Sequence, residues 1–239
     1  MLSVAIPTMN RWTTFLKKQF PIYVDHPKIA SIVVCDETGH DLESICQDGY
    51  DTNPKVRLFQ NETRLGIYGN KRQCLLSSST EFVALLDSDN FFDPEFFTEA
   101  LRCIERDGDA SKKTVYCAGK NIRHLESGET EERIRHFNGM KITRDNWNTI
   151  LKTPGWNFLL NNGNCIWPRD VVRHFPELSD SEIAAADSIL AAKLAVEAGY
   201  TLSIEPTLQY KHMVHSDSGW FQTEYESSRI LSSRNWKID

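Results

Sequence analysis

The sequence predicts an α/β fold: one Rossmann-like domain with a mostly parallel central sheet, helices on both faces of that sheet, and a looser C-terminal half. Three observations predict it. Apolar, β-rich runs alternate with helix-like segments through the first half of the chain, a pattern that lays strands side by side with helices as crossovers. The strongest runs each open onto polar residues at their carboxyl ends, which is where open sheets of this kind bind ligands. Of 239 residues, 40% are hydrophobic and 25% charged, so the chain has enough apolar material for a substantial core.

The strong strands are expected at Ser3–Ile6, Ser31–Cys35 and Phe82–Leu86, with weaker ones at Val56–Phe59 and Val115–Ala118. Nearly unbroken apolar runs suit strands buried on both faces. Helices are expected over Trp12–Phe20, Tyr68–Leu76 and Pro94–Ile104. Asp93 is placed to cap the last of these, with Pro94 at its first position, where a missing N–H costs nothing. Gly119–Trp167 is rich in Asn, Gly, charge and aromatics, and reads as long loops with short elements such as Asn146–Leu151. A further helix is expected from Ser179 onward: Ser179 and Glu182 have capping-box spacing and Gly199 is a C-terminal stop. Thr201–Ile204 and Thr207–Tyr210 read as two short strands, and the tail from Ser216 is polar. No repeat or linker divides the chain, so one domain is expected.

Bulk properties narrow the function. A formal charge of -6 speaks against nonspecific binding to nucleic acid or anionic membrane. The six cysteines are scattered without metal-ligand spacing, and Cys35 and Cys117 sit in apolar runs as small hydrophobes. A reduced, cytoplasmic, soluble protein is the expectation. The N-terminus has no basic segment ahead of an apolar core, and no run approaches the roughly 20 apolar residues of a spanning helix.

The chemistry concentrates at the strand ends. The first run stops at Pro7-Thr8-Met9-Asn10-Arg11, the second at Asp36-Glu37-Thr38-Gly39, the third at Asp87-Ser88-Asp89-Asn90. Asp87 and Asp89, two apart on extended backbone, point to one side. Converging carboxylates repel unless a cation or proton lies between them. Hard oxygen ligands suit Mg²⁺ or Mn²⁺, which keep open positions for phosphate oxygens. The same triplet also suits a polar turn. Between these strands, Gly66 and Gly69 would let backbone approach a ligand, and Arg64 or Lys71 would balance a diphosphate; an exposed basic helix start is the alternative. On the late helix Asp187 interrupts the apolar stripe of Ile183, Leu190 and Leu194. A carboxylate there must be paired or face a polar cleft, where it could act as a general base. His212 and His215 follow the last strand and could complete a metal sphere.

Together these pieces resemble the GT-A fold glycosyltransferases, especially the family-2-like group. The match is ordered from Leu2 to about Asp89 and looser through Trp220, and its most telling stretch runs from Gln60-Asn61-Glu62-Thr63-Arg64-Leu65-Gly66 through Phe82-Val83-Ala84-Leu85-Leu86-Asp87-Ser88-Asp89. The resemblance implies a nucleotide-sugar-binding half over 1–118 and an acceptor-binding half over 119–239. Pro7, Thr8 and Arg11 would border the nucleotide, and Asp36 would recognise its base or ribose. Asp87, Ser88 and Asp89 form the DxD motif for metal and diphosphate, with Asp89 the direct ligand to Mn²⁺ or Mg²⁺. Asp187 matches the catalytic Asp, the general base, near the start of a late helix in inverting members, and His212, or failing it His215, the histidine that completes the metal site. The donor would be a nucleotide diphosphate sugar, UDP-linked, and the acceptor a hydroxyl of a glycan or glycoconjugate, against Trp156, Asn162, Asn164 and Trp220. Two features depart from the family pattern: Ala186 stands where an acidic neighbour of Asp187 is usual, and an arginine shortly after it is absent; inversion is favoured, and a retaining GT-A enzyme, which would not need that base, is the alternative. A phosphatase of the haloacid-dehalogenase type also carries Asp-x-Asp after a strand, but near the N-terminus and with a later acidic pair. A nucleotide-sugar- or carbohydrate-binding module without catalysis is the alternative from another class.

Overall fold

The computed structural model describes residues 1–161, 163–178, 183–218, 221 and 223–238. The strands are β1 (Leu2–Thr8), β2 (Ile29–Asp36), β3 (Val56–Gln60), β4 (Phe82–Leu85), β5 (Phe91–Phe92), β6 (Thr114–His124), β7 (Thr130–Glu132), β8 (Lys141–Ile142), β9 (Cys165–Pro168) and β10 (Thr201–Met213). The α-helices are α1 (Lys17–Asp25), α2 (His40–Gln47), α3 (Gly66–Ser77), α4 (Pro94–Asp107), α5 (Arg144–Ile150), α6 (Trp156–Leu160), α7 (Asp187–Glu197) and α8 (Glu224–Ser233).

One sheet runs β3-β2-β1-β4-β9-β6-β10-β5, with β7 paired to β6 and β8 to β10. The β3, β2, β1 and β4 strands are parallel, and β6 is parallel to β10. Between these two groups β9 runs antiparallel to both β4 and β6. The sheet is therefore mostly parallel but mixed, and the second half of the chain contributes β7, β8, β9 and β10 to it. Period-two alternation sorts the strand residues into two cores. Ala5, Val33, Cys35, Val83 and Leu85 face α3, α5, α7 and α8. Leu2, Val4, Ile6, Ile32, Val34 and Ala84 face α1, α2 and α4. All six cysteines are free thiols, five of them buried. Among the described residues no helix is long and apolar enough to cross a membrane.

Several elements differ from expectation for visible reasons. The segment at Trp12 begins as a π-helical turn, Trp12–Leu16, before α1 takes over and carries Pro21 inside it. Asp93 has the extended backbone of an N-cap but no capping hydrogen bond from its side chain; its carboxylate accepts from Lys211 and Gln209 on β10 instead. The two short strands after Gly199 are one 13-residue strand, with a register shift between Glu205 and Gln209. The late helix starts at Asp187. Before it stands a 3-10 turn, Ala184–Ala186, where Ala184 has φ 45° and Ala185 leaves helical geometry. Asp187 therefore occupies a helix start rather than mid-helix. Ser179 and Glu182 lie outside the described residues. Gly199, at φ 82°, stops α7 as the sequence predicts.

Candidate active site

Parallel β1, β2 and β4 end side by side, with Thr8 in register with Asp36 and Ala5 with Leu85. Beyond these ends lies a cleft of about 260 Å³. Buried polar side chains fix its floor. Asp41, from the first turn of α2, accepts hydrogen bonds from Thr8 Oγ1 at 2.5 Å, Arg11 N at 2.9 Å and Trp12 N at 2.9 Å. It thereby pins the loop after β1, whose backbone N–H groups would otherwise be unpaired. Asn70 of α3 donates to Cys35 O at 3.0 Å and accepts from Asn61 at 3.0 Å, tying the ends of β2 and β3 to the helix. Gly66 opens α3 at φ 77°, which a side chain would resist.

The acidic triplet splits its two carboxylates between different partners. Asp87 N donates to Asn164 Oδ1 at 2.8 Å, and Asn164 Nδ2 returns a bond to Asp87 Oδ2 at 3.1 Å. The other oxygen of Asp87 is 2.8 Å from Lys71 Nζ, and the same ammonium is 2.9 Å from Asp187 Oδ2. Ser188 Oγ donates to that oxygen as well, at 3.2 Å. Burial alone would lower the Lys71 pKa, but the carboxylates of Asp187 and Asp87 outweigh it and the net shift is upward, so the ammonium stays charged. Gly163 permits this arrangement: a Cβ there would lie 2.5 Å from Ser188 Oγ and 3.2 Å from Lys71 Nζ.

Asp89 turns the other way, its Oδ2 3.1 Å from His215 Nε2. Phe15 packs against the His215 ring with centroids 4.8 Å apart. Burial tends to raise the Asp89 pKa; the His215 contact and the neighbouring His212 and Arg11 reverse this and hold it below the ordinary value. His212 lines the cleft with its Nδ1 buried and without a hydrogen-bond partner, and burial lowers its pKa. Asn90 ends the triplet by accepting from Met213 N at 3.0 Å, which anchors the turn to β10.

Most of the residues expected at the site meet in this cleft: Pro7, Thr8, Arg11, Arg64, Gly66, Lys71, Asp87, Ser88, Asp89, Asp187 and His212 all line it. Others stand elsewhere. Asp36 is fully buried, and its carboxylate accepts from the N–H groups of Thr38, Asp41 and Leu42, so it organises the start of α2 rather than the cleft wall. Glu37, next along, lines the cleft. It is His215, the second choice, that touches Asp89. Asn164 is 1% exposed and holds Asp87 from behind rather than forming an acceptor wall. Trp156 packs half-buried against the core. Asn162 and Trp220 lie outside the described residues. Asp41 and Asn70 were not expected here: in sequence each reads as an ordinary polar helix residue, and only chain ends remote in sequence make them structural.

Five carboxylates (Glu37, Asp87, Asp89, Asp187, Asp217) face three fixed cations (Arg11, Arg64, Lys71) among the described lining residues. An anionic ligand entering this cleft needs a further positive charge. Among the described residues no three His, Cys, Asp or Glu side chains are grouped to hold a metal ion as they stand. The donor set nonetheless suits a hard or borderline divalent ion, because Asp89 contributes carboxylate oxygen and the buried Nδ1 of His212 lacks a partner.

The model of the family described as glycosyl transferase family 2 matches residues 3–161, more than half of the chain. A segment of 91 residues is 33% identical to GalNAc(5)-diNAcBac-PP-undecaprenol beta-1,3-glucosyltransferase of Campylobacter jejuni, and covers 37% of this chain and 29% of that protein. Among solved structures, S. aureus TarS 1-349 in complex with UDP-GlcNAc superposes with a TM-score of 0.69 at 18% identity, over 98% of this chain and 61% of that one. The structure of S. aureus TarS that is not confined to 1-349 superposes with a TM-score of 0.63, over 40% of its chain. The chain thus spans less than two thirds of these relatives, and at such identity the structural likeness establishes a shared fold, the GT-A architecture expected from the sequence. With the family model covering the strand-end residues Thr8, Asp87 and Asp89 and Lys71 of α3, the chain belongs to glycosyl transferase family 2.

Proposed function

We propose that this protein transfers a sugar from a UDP-linked nucleotide sugar to an acceptor hydroxyl, with inversion at the anomeric carbon and with the help of Mn²⁺ or Mg²⁺. The observation that carries this reading is the convergence of Asp87, Asp89 and Asp187 on one cleft beyond the carboxyl ends of β1 and β4. The UDP-GlcNAc bound to the S. aureus relative supports the choice of donor.

In this reading Arg11 and Arg64 would flank the diphosphate, and Asp89 with His212 and His215 would hold the cation. When bound, the cation neutralises charge on the departing diphosphate. Asp187 takes the proton from the attacking hydroxyl. Its described contacts with Lys71 and Ser188 both fall on Oδ2, so Oδ1 is the oxygen that would receive the proton. Lys71 holds that carboxylate in place, and Asn164 fixes the orientation of Asp87.

Calorimetry with UDP tests the donor site: heat of binding is expected with Mn²⁺ and its loss in Asp89→Ala. Undiminished UDP affinity in that variant would remove the cation from the reading. NMR of the product made from a panel of UDP-sugars reads the anomer directly, and a retained configuration would remove Asp187 as base.

A further inference from the structure

A second cavity, of about 310 Å³, adjoins the cleft and shares Asn161, His212 and Ser218 with it. Its described lining holds two guanidiniums, Arg123 and Arg133, and no acidic side chain, in a chain whose formal charge is -6. Among the described residues the two arginines share one acidic partner, Glu131. Arg123 Nη1 donates to Glu131 Oε2 at 2.8 Å, and Arg133 donates to the same oxygen through Nε at 2.8 Å. The β6–β7 pairing, which sets Arg123 opposite Glu131, fixes this arrangement. Two guanidiniums on one carboxylate leave a positive charge over, and planar guanidiniums suit phosphate and carboxylate groups.

Two neighbouring features describe the rest of a ligand. Phe158 lies beside both cations, its ring centroid 5.9 Å from Arg123 Cζ and 4.6 Å from Arg133 Cζ, and at 40% exposure it presents a flat apolar surface. Asn121, 8% exposed, lines the same cavity with its Oδ1 buried and without a hydrogen-bond partner. An orphaned buried acceptor of that kind is unfavourable, and a hydroxyl donated by a bound molecule would offset the loss.

We propose that this cavity holds the acceptor, and that the acceptor is anionic: a sugar or polyol bearing a phosphate or carboxylate. The charged group lies at Arg123 and Arg133, a carbon face rests on Phe158, and a hydroxyl donates to Asn121. The role as acceptor rests on the glycosyl transfer proposed above; the anion selectivity rests on the cavity alone.

The test uses ligand-detected NMR titration of the full chain, without nucleotide, against methyl glucoside, its 6-phosphate and methyl glucuronide. At least one charged glycoside is expected to bind about tenfold or more tighter than the neutral one, and whichever charged form is tighter identifies the anion. Arg133→Gln and, separately, Phe158→Ala are to be checked for unchanged melting midpoints. Arg133→Gln is expected to abolish the difference between charged and neutral glycosides, and Phe158→Ala to weaken all three. Equal affinities for charged and neutral glycosides, or a preference that survives Arg133→Gln, would overturn the proposal. UDP binding by the unsubstituted chain is measured separately; its failure would remove the donor reading while leaving the anion selectivity to stand or fall on the glycosides.

Discussion

Lys71 and Asp187 belong to different helices, α3 and α7, yet the ammonium of one lies 2.9 Å from the carboxylate of the other, and the same ammonium reaches Asp87 at 2.8 Å. One cation thus joins the strand-end motif to the helix that carries the proposed base. All three side chains are largely withdrawn from water, at 13%, 26% and 5% exposure for Lys71, Asp87 and Asp187. Removing one member of such a set leaves the others uncompensated.

Lys71→Met is therefore expected to lower stability by about 3 kcal/mol and to reduce turnover more than donor KM. Adding Asp187→Asn should return part of the stability, because the second change removes the charge that the first left unpaired. Denaturant unfolding of the single and double variants checks this; strict additivity would mean the two groups are not coupled.

Asp187→Asn alone preserves the shape of the side chain but removes its capacity to accept the hydroxyl proton. A fall in kcat of about 10²- to 10⁴-fold is expected, with UDP affinity in calorimetry little changed. Turnover at the original rate would place the base elsewhere.

Gly163→Ala probes the packing around the Lys71 pair without touching a charge. The new methyl would stand 2.5 Å from Ser188 Oγ and 3.2 Å from Lys71 Nζ, so both must shift. Overpacking of this kind costs about 1–3 kcal/mol, and the melting midpoint and kcat are expected to fall together. A midpoint equal to that of the parent chain would show that the site yields without strain.

Glu205, buried on β10, accepts from Arg106 through both oxygens, at 3.0 and 2.8 Å, and from Ser203 at 2.7 Å. The Arg106 hydrogen bonds hold its pKa below the ordinary value of 4.5. A depressed carboxylate contributes stability that is fully present above 4.5 and is lost as pH falls through its folded value. Glu205→Gln is expected to lower the melting midpoint at neutral pH and to flatten its decline on acidification. Parallel pH curves for parent and variant would refute this.

Much of the first half of the chain was legible in sequence because its signals are local. Unbroken apolar runs mark β1, β2 and β4 as doubly buried strands, and the polar residues that end them lie in line by the rule of parallel sheets. Thr8, Asp87 and Asp89 could thus be placed together from sequence alone, whereas Lys71 and Asp187 stand on helices and no strand-end rule brings them to the same cleft. Asp36 shows the limit of that reasoning: it stands at a strand end, but its carboxylate is taken up by the N–H groups of the next helix start. His215 rather than His212 meets Asp89 because the chain leaves β10 after Met213 and turns back, which no periodicity records.

The amino-acid sequence by itself determined the α/β architecture, the strand ends that carry the cleft and the acids gathered there, since propensity, burial pattern and strand polarity act over a few residues at a time. Only the tertiary structure decided which partner each charge takes. Contacts such as Lys71 with Asp187, Asn164 with Asp87 and Arg123 with Arg133 about Glu131 depend on β9 entering the sheet antiparallel, on the 3-10 turn before α7 and on the β6–β7 register. Charge pairs interact most strongly in contact and are screened beyond about 8–10 Å, so the pairing of charges follows distances that the fold sets and the linear order of residues does not contain.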